Sequence, residues 1–87
     1  MNQEKLTMFL LTYRAEFLES VTLFPSAYAL GSDEGPAAYV NRVYPRMADA
    51  ITRGSFSKDS RSFKNTCKRL GIPHTYKAIA AYLTPKE

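Results

Sequence analysis

Large apolar residues in the first third of the chain recur with the period of an α-helix. They lie at Leu6, Phe9, Leu10, Tyr13, Phe17 and Val21. This spacing is close to the i, i+3, i+4, i+7 pattern of a helix with one buried face, and Asn2 before it is a residue type that caps helices. We expect this first helix to end near Leu23, because the residue before Pro25 is disfavoured in helical conformation. Residues 24–30 fit either a short helical turn or a packed connection.

A second helix is predicted after the polar loop of residues 31–35. Pro36 suits the first position of a helix, and Gly54 is expected to mark its end. The apolar stripe between them consists of Ala37, Val40, Val43 or Tyr44, Met47, and Ala50 or Ile51. Pro45 lies within this segment and removes one backbone hydrogen bond. We therefore expect either a kink near residues 41–44 or two abutting helices.

Two shorter helical patterns fill residues 57–83. The third helix is expected to begin at Ser57 or Asp59, which are both good caps. It places on one side the apolar residues Phe63, Cys67 and Leu70. Gly71 supplies the left-handed residue that often follows a helix, and Pro73 prevents its continuation.

The fourth helix is predicted to be capped by Thr75 and to finish before Pro85. Its apolar stripe consists of Tyr76, Ile79, Ala80 and Leu83. The four patterns together predict an all-α fold, a small bundle of about four helices with a C-terminal helical hairpin.

Composition supports one domain spanning residues 1–87. An apolar fraction of 45% with 23% charged residues is typical of globular chains, and a chain this short supports one modest core. Cys67 is the only cysteine and His74 the only histidine, so we expect no disulfide, no metal site and no cofactor. The apolar run 8–11 is too short to cross a bilayer and resembles no signal peptide, so we expect a cytoplasmic protein.

Charge is distributed unevenly along the chain, whose formal net charge is +4. Residues 1–41 contain two basic and five acidic residues, a net charge of −3, whereas residues 42–77 contain nine basic and two acidic residues, a net charge of +7. Such an asymmetry suggests a field directed toward nucleic acid or an acidic protein surface. The alternative is an ordinary solvated helix face.

The basic half supplies the candidate binding residues. The side chains expected to hold phosphates are Arg61, Lys64, Lys68, Arg69 and Lys77. Three residues at the start of the last helix are expected to reach the bases, and these are His74, Thr75 and Tyr76. Arg42 and Arg46 suit either a nucleic acid or a protein partner.

Residues 67–83, CKRLGIPHTYKAIAAYL, resemble a helix-turn-helix in part. Cys67 is a small residue four positions before Gly71, Ile72 is apolar, and a short final helix follows. Lys77, however, stands where that motif usually has an aliphatic residue, which argues against docking in the major groove. The alternative is an ordinary helical hairpin that completes the core.

Residues 53–83, RGSFSKDSRSFKNTCKRLGIPHTYKAIAAYL, are similar to a family of small, poorly characterised proteins carried by bacteriophages, prophages and other mobile elements of proteobacteria. The resemblance implies a bacterial cytoplasm and an accessory role, but no agreed activity. Small phage proteins often act by binding, either as regulators or as inhibitors of host defences such as anti-CRISPR proteins. An inhibitor of a host protein is expected to use exposed aromatics such as Tyr28, Tyr39 or Tyr44.

An enzymatic function is the weakest hypothesis. Cys67 and His74 are the residue types of a nucleophile and a base, but Cys67 lies on an apolar stripe, where a free cysteine is usually a small buried hydrophobe. Glu16 and Glu19 are better explained as solvated surface than as a catalytic pair. We therefore expect a protein that is not an enzyme.

A homodimer is a further expectation. Met8, Leu11 and Leu18 lie outside the main stripe of the first helix, and a small chain gains stability by burying a second apolar face.

Overall fold

The computed structural model describes residues 3–83, and these residues fold into four α-helices and one short 3₁₀ turn. The elements are α1 (Gln3–Leu23), the 3₁₀ turn (Pro25–Ala27), α2 (Pro36–Thr52), α3 (Arg61–Leu70) and α4 (Tyr76–Leu83). No strand occurs in this part of the chain. The predicted all-α fold of four helices is confirmed, and the open choice for residues 24–30 is resolved as a short helical turn.

Helix α1 is the central element, and α2, α3 and α4 all pack against it. Its predicted stripe is confirmed, because Phe9, Tyr13, Phe17 and Val21 are each at most 3% exposed. A helix of 21 residues is about 30 Å long, which gives room for the three shorter helices along its sides. The proposed cap Asn2 lies outside the described residues.

Helix α2 runs antiparallel to α1. The ring of Tyr39, near the start of α2, lies 6.2 Å from that of Phe17, whereas the Tyr44 hydroxyl, further along α2, donates a 3.2 Å hydrogen bond to the carbonyl of Leu10. The helix passes without interruption through Pro45, so the alternative of two abutting helices is wrong. Pro45 lies on the exposed side of α2, where its ring meets solvent rather than the core.

Helix α3 also runs antiparallel to α1. Arg61, at its start, lies beside Phe24, just beyond the end of α1, and Leu70, at its end, lies beside Leu11. The N-cap is Ser60, whose hydroxyl accepts a 3.2 Å hydrogen bond from the amide of Phe63. The predicted starts at Ser57 and Asp59 are therefore wrong by one residue or more.

The turn between α3 and α4 follows the prediction closely. Gly71 adopts a φ of +70°, and the amide of Ile72 donates a 2.9 Å hydrogen bond to the Cys67 carbonyl, as in a helix C-cap. The hydroxyl of Thr75 caps α4 by accepting a 3.1 Å hydrogen bond from the amide of Ala78.

The stripe predicted for α4 is only half correct. Ile79 and Leu83 are buried, but Tyr76 and Ala80 are exposed. Helix α4 has only 8 residues, and beside Ile79 and Leu83 it packs the half-buried Ala78 and Tyr82 against the core.

Aromatic rings form the centre of the core. The ring of Phe63 lies 5.1 Å from that of Phe9, 4.9 Å from that of Phe56 and 6.1 Å from that of Tyr13. Phe63 thus joins α1, α3 and the segment that precedes α3. Burial raises the pKa of the Tyr13 phenol to about 12, because ionisation would place a charge among these rings.

Candidate polyanion-binding surface

Helix α3 separates its residues sharply into a buried and an exposed side. Ser62, Phe63, Thr66 and Cys67 face the core. The exposed side carries the four basic residues of the helix, Arg61, Lys64, Lys68 and Arg69. The sequence of α3 contains no carboxylate to neutralise them.

Arg61, Lys64 and Lys68 form what we call the α3 cationic stripe. Their spacing of three and four residues places them on one line of the helix surface, about 10 Å long at 1.5 Å per residue. The described residues offer no acidic partner within 4.0 Å of any of the three. The stripe therefore presents positive charge that the fold leaves uncompensated.

The stability of α3 does not explain this stripe. Like charges at i, i+4, such as Lys64 and Lys68, destabilise a helix by about 0.2–0.5 kcal/mol. Arg61 in the first turn faces the positive end of the helix dipole, which also disfavours a cation. Only Lys68, in the last turn, has a favourable position. A cost to folding at these exposed positions favours a binding role.

Two of the candidate residues are neutralised by carboxylates from the acidic N-terminal part. Arg42 binds Glu34 through two nitrogens, at 2.8 Å and 2.9 Å, and Arg69 binds Glu16 at 2.8 Å. Glu16 is only 7% exposed, so its interpretation as solvated surface is wrong, because Arg69 covers and pairs its carboxylate. Neither arginine offers a full free charge to a ligand.

The contact between Arg42 and Glu34 predicts a specific acid titration. Hydrogen bonds from the Arg42 side chain and from the Gly31 amide lower the pKa of Glu34 from 4.5 to about 2. The folded pKa lies below the unfolded one, so the stabilising contribution is present above pH 4.5 and is lost as the pH falls toward 2. We expect carbon-detected NMR to find a Glu34 midpoint near 2. Arg42→Ala should raise it, and Arg53→Ala should leave it unchanged.

The other two basic residues that were predicted to bind a partner lie on α2 and α4. Arg46 follows Arg42 by one turn on the exposed side of α2, and Lys77 is exposed in the first turn of α4. Within residues 3–83 neither forms an ion pair. They are not part of the α3 cationic stripe.

The residues expected to reach bases have internal contacts instead. A ring nitrogen of His74 hydrogen-bonds the carbonyl of Lys58, and Thr75 is occupied as the α4 cap. The ring of Tyr76 packs 5.6 Å from that of Phe56, and the Lys58 ammonium lies 5.5 Å from its centre. These contacts hold the hairpin to the segment that precedes α3, and they leave little polar surface for reading bases.

An apolar patch that was not predicted from the sequence lies beside the α3 cationic stripe. Leu23 is 57% and Phe24 is 45% exposed, and the guanidinium of Arg61 lies 4.8 Å from the centre of the Phe24 ring. The sequence offered one signal for this exposed patch, because both apolar residues follow Val21, which is the last residue of the buried stripe of α1. By contrast Tyr28, Tyr39 and Tyr44, expected as exposed aromatics, are half-buried, since their rings pack on α1 or on each other.

The structure places Cys67, the cysteine considered as a nucleophile, in the core. Cys67 is 1% exposed, and burial raises the pKa of its thiol, as expected for a small buried hydrophobe rather than a nucleophile. Within residues 3–83 no group of three potential metal ligands lies together.

No helix in this part of the chain is long and apolar enough to span a membrane. Comparisons with protein-family models, with curated proteins and with solved structures find no match to the chain. Residues 3–83 form a small all-α domain in which the exposed face of α3 is cationic and its Arg61, Lys64 and Lys68 have no acidic partner among these residues.

Proposed function

We propose that this protein is a non-enzymatic binder of nucleic acid that contacts the phosphate backbone through the α3 cationic stripe. The observation that carries the proposal is the alignment of Arg61, Lys64 and Lys68 on one exposed line without an acidic partner among the described residues. Phosphate contacts of this type position a protein on nucleic acid without reading sequence.

The dimensions of the stripe suit a phosphate backbone. One strand carries a charge about every 3.4 Å along the axis of a duplex, so a line of about 10 Å spans three phosphates. The residues that were candidates for base contacts have internal partners. We therefore expect binding with little sequence preference.

The proposal predicts a measurable dependence on salt. Neutralising three phosphates gives a slope of log K against log salt of about −2 for a single strand and about −3 for a duplex. Raising the salt from 50 to 200 mM should therefore weaken binding about 20- to 40-fold. Fluorescence anisotropy with a labelled oligonucleotide measures this effect. Binding that does not change with salt, or no binding at 50 mM, would contradict the proposal.

The biological setting is part of the same proposal. From the resemblance of residues 53–83 to phage and mobile-element proteins we propose, as an expectation that no comparison tests, an accessory role in the cytoplasm of a bacterial host. A basic surface is consistent with association with the nucleic acid of the host or of the element.

A second candidate function is inhibition of a host protein, as in anti-defence proteins of the anti-CRISPR type. It is favoured by the exposed pair Leu23 and Phe24 beside Arg61, because aromatic and arginine side chains concentrate the binding energy of protein interfaces. A pull-down from bacterial lysate with and without nuclease separates the two candidates. Recovery of one acidic protein regardless of nuclease favours the inhibitor, and loss of all partners on nuclease treatment favours the nucleic-acid binder.

A further inference from the structure

The outer face of α1 carries apolar side chains that the other described elements leave largely uncovered. Met8 is 52% and Leu11 is 62% exposed, Ala15 is exposed and Leu18 is half-buried. Their spacings of three and four residues place them on one side of the helix, and we call them the α1 outer stripe. A contiguous exposed apolar face of this kind marks an interaction site. It lies on a different helix from the α3 cationic stripe and has no use in phosphate binding.

The order of side chains in the α1 outer stripe is suited to a second copy of itself. Ala15 is small and lies between Leu11 and Leu18, four residues after the first and three before the second. If two copies of α1 cross antiparallel with a twofold axis at Ala15, the small side chains let the helices approach to about 8–10 Å. Leu11 of each copy then enters the space beside the partner's Leu18. A twofold interface of this kind repeats each contact.

Charged side chains beside the α1 outer stripe favour an antiparallel arrangement of the two α1 helices. Glu19 is exposed one turn beyond Ala15, and Arg69 lines a groove with Leu11 and Ala15. An axis at Ala15 brings the partner's Glu19 to the level of Leu11, next to Arg69. Glu16 already neutralises the charge of Arg69, but it occupies only one nitrogen of a side chain that is 60% exposed, so the guanidinium keeps N–H donors for a hydrogen bond to a second carboxylate.

We propose that the chain forms an antiparallel, twofold-symmetric homodimer through the α1 outer stripe, with Glu19 of each copy meeting the partner's Arg69. A stable interface needs about 800 Å² from each partner, about a seventh of the 5754 Å² surface of the chain. The groove that extends the stripe as far as Leu70 adds to the apolar area. This proposal stands independently of the nucleic-acid function.

Sedimentation velocity over a wide range of protein concentrations tests the dimer. The wild-type chain is expected to pass from monomer to dimer as its concentration rises. Leu11→Glu should weaken association at least tenfold, while Leu23→Glu, which changes an equally exposed leucine away from the stripe, should associate as the wild type does. Circular dichroism of both variants confirms that they remain helical. A monomer at every concentration, or equal effects of the two substitutions, would overturn the proposal.

Disulfide formation tests the position of the twofold axis. Ala15→Cys places two thiols close together across the axis and should give a covalent dimer under mild oxidation. Thr22→Cys should not, because an axis at Ala15 separates the two copies of residue 22 by about 21 Å along the helices. Cys67, at 1% exposure, provides an internal thiol that does not react in the folded protein. Equal cross-linking of the two variants would rule out the antiparallel arrangement.

Discussion

Reversing the charges of the α3 cationic stripe should strongly weaken binding to nucleic acid. In the triple variant Arg61→Glu, Lys64→Glu and Lys68→Glu we expect affinity for an oligonucleotide at 50 mM salt to fall at least about 100-fold. Each charged hydrogen bond is worth about 1.5 kcal/mol or more, and 1.4 kcal/mol corresponds to a factor of ten. Fluorescence anisotropy measures the loss. The slope of log K against log salt should approach zero, since no phosphate contact remains.

A matched variant separates the stripe from the overall charge. Arg46→Glu, Arg53→Glu and Lys77→Glu change the net charge by the same amount at exposed positions on α2, at its end, and on α4. We expect this variant to retain most of its binding, because the α3 cationic stripe is intact. All six substitutions lie on the surface, so both proteins should fold. If the two variants lose affinity equally, binding depends on net charge and the stripe is not the site.

Removing the ring of Phe63 should destabilise the domain more than any surface change. Phe63 is 2% exposed and contacts the rings of Phe9, Tyr13 and Phe56. Phe63→Ala should lower the free energy of unfolding by about 3–5 kcal/mol, through lost burial and the cavity that remains. A domain of 87 residues has a total stability of about 4–13 kcal/mol. Urea unfolding followed by circular dichroism should therefore show a large decrease in the midpoint or a chain that is unfolded in water.

Phe24→Ala provides the matched control for the core substitution. It removes the same side chain from a position that is 45% exposed and packed on Arg61. We expect the free energy of unfolding to change by less than about 1 kcal/mol, because the substitution removes little apolar surface from the core and an exposed cation–π contact contributes about 0.5–1 kcal/mol. A small effect at Phe63, similar to that at Phe24, would contradict the aromatic core.

The elements that sequence predicted well are those that local chemistry determines. The α1 stripe, the left-handed Gly71 and the cap Thr75 each follow from residues a few positions apart, so their patterns are visible in one short window. The N-cap of α3 was predicted at Ser57 or Asp59, yet Ser60 is used. Ser and Asp cap helices about equally well, and the packing of Phe63 against α1 determines the register.

The parts of the site that depend on distant contacts were not predictable. Arg69 and Glu16 are 53 residues apart. The sequence gives no sign that they pair, so both were expected to be exposed charges. The same applies to Phe24 and Arg61, which meet only because α3 runs antiparallel to α1. The cationic stripe itself was predictable, since Arg61, Lys64 and Lys68 all lie within one short helix.

The division of α3 into a core side and a solvent side has a consequence for protein engineering. Ser62, Phe63, Thr66 and Cys67 anchor the helix, and Arg69 pairs with the buried Glu16, while the outward positions 61, 64 and 68 contribute little to folding. Those outward positions can be randomised in a display library without loss of the scaffold. The domain thus offers a compact framework, free of disulfides among its described residues, on which new recognition surfaces can be selected.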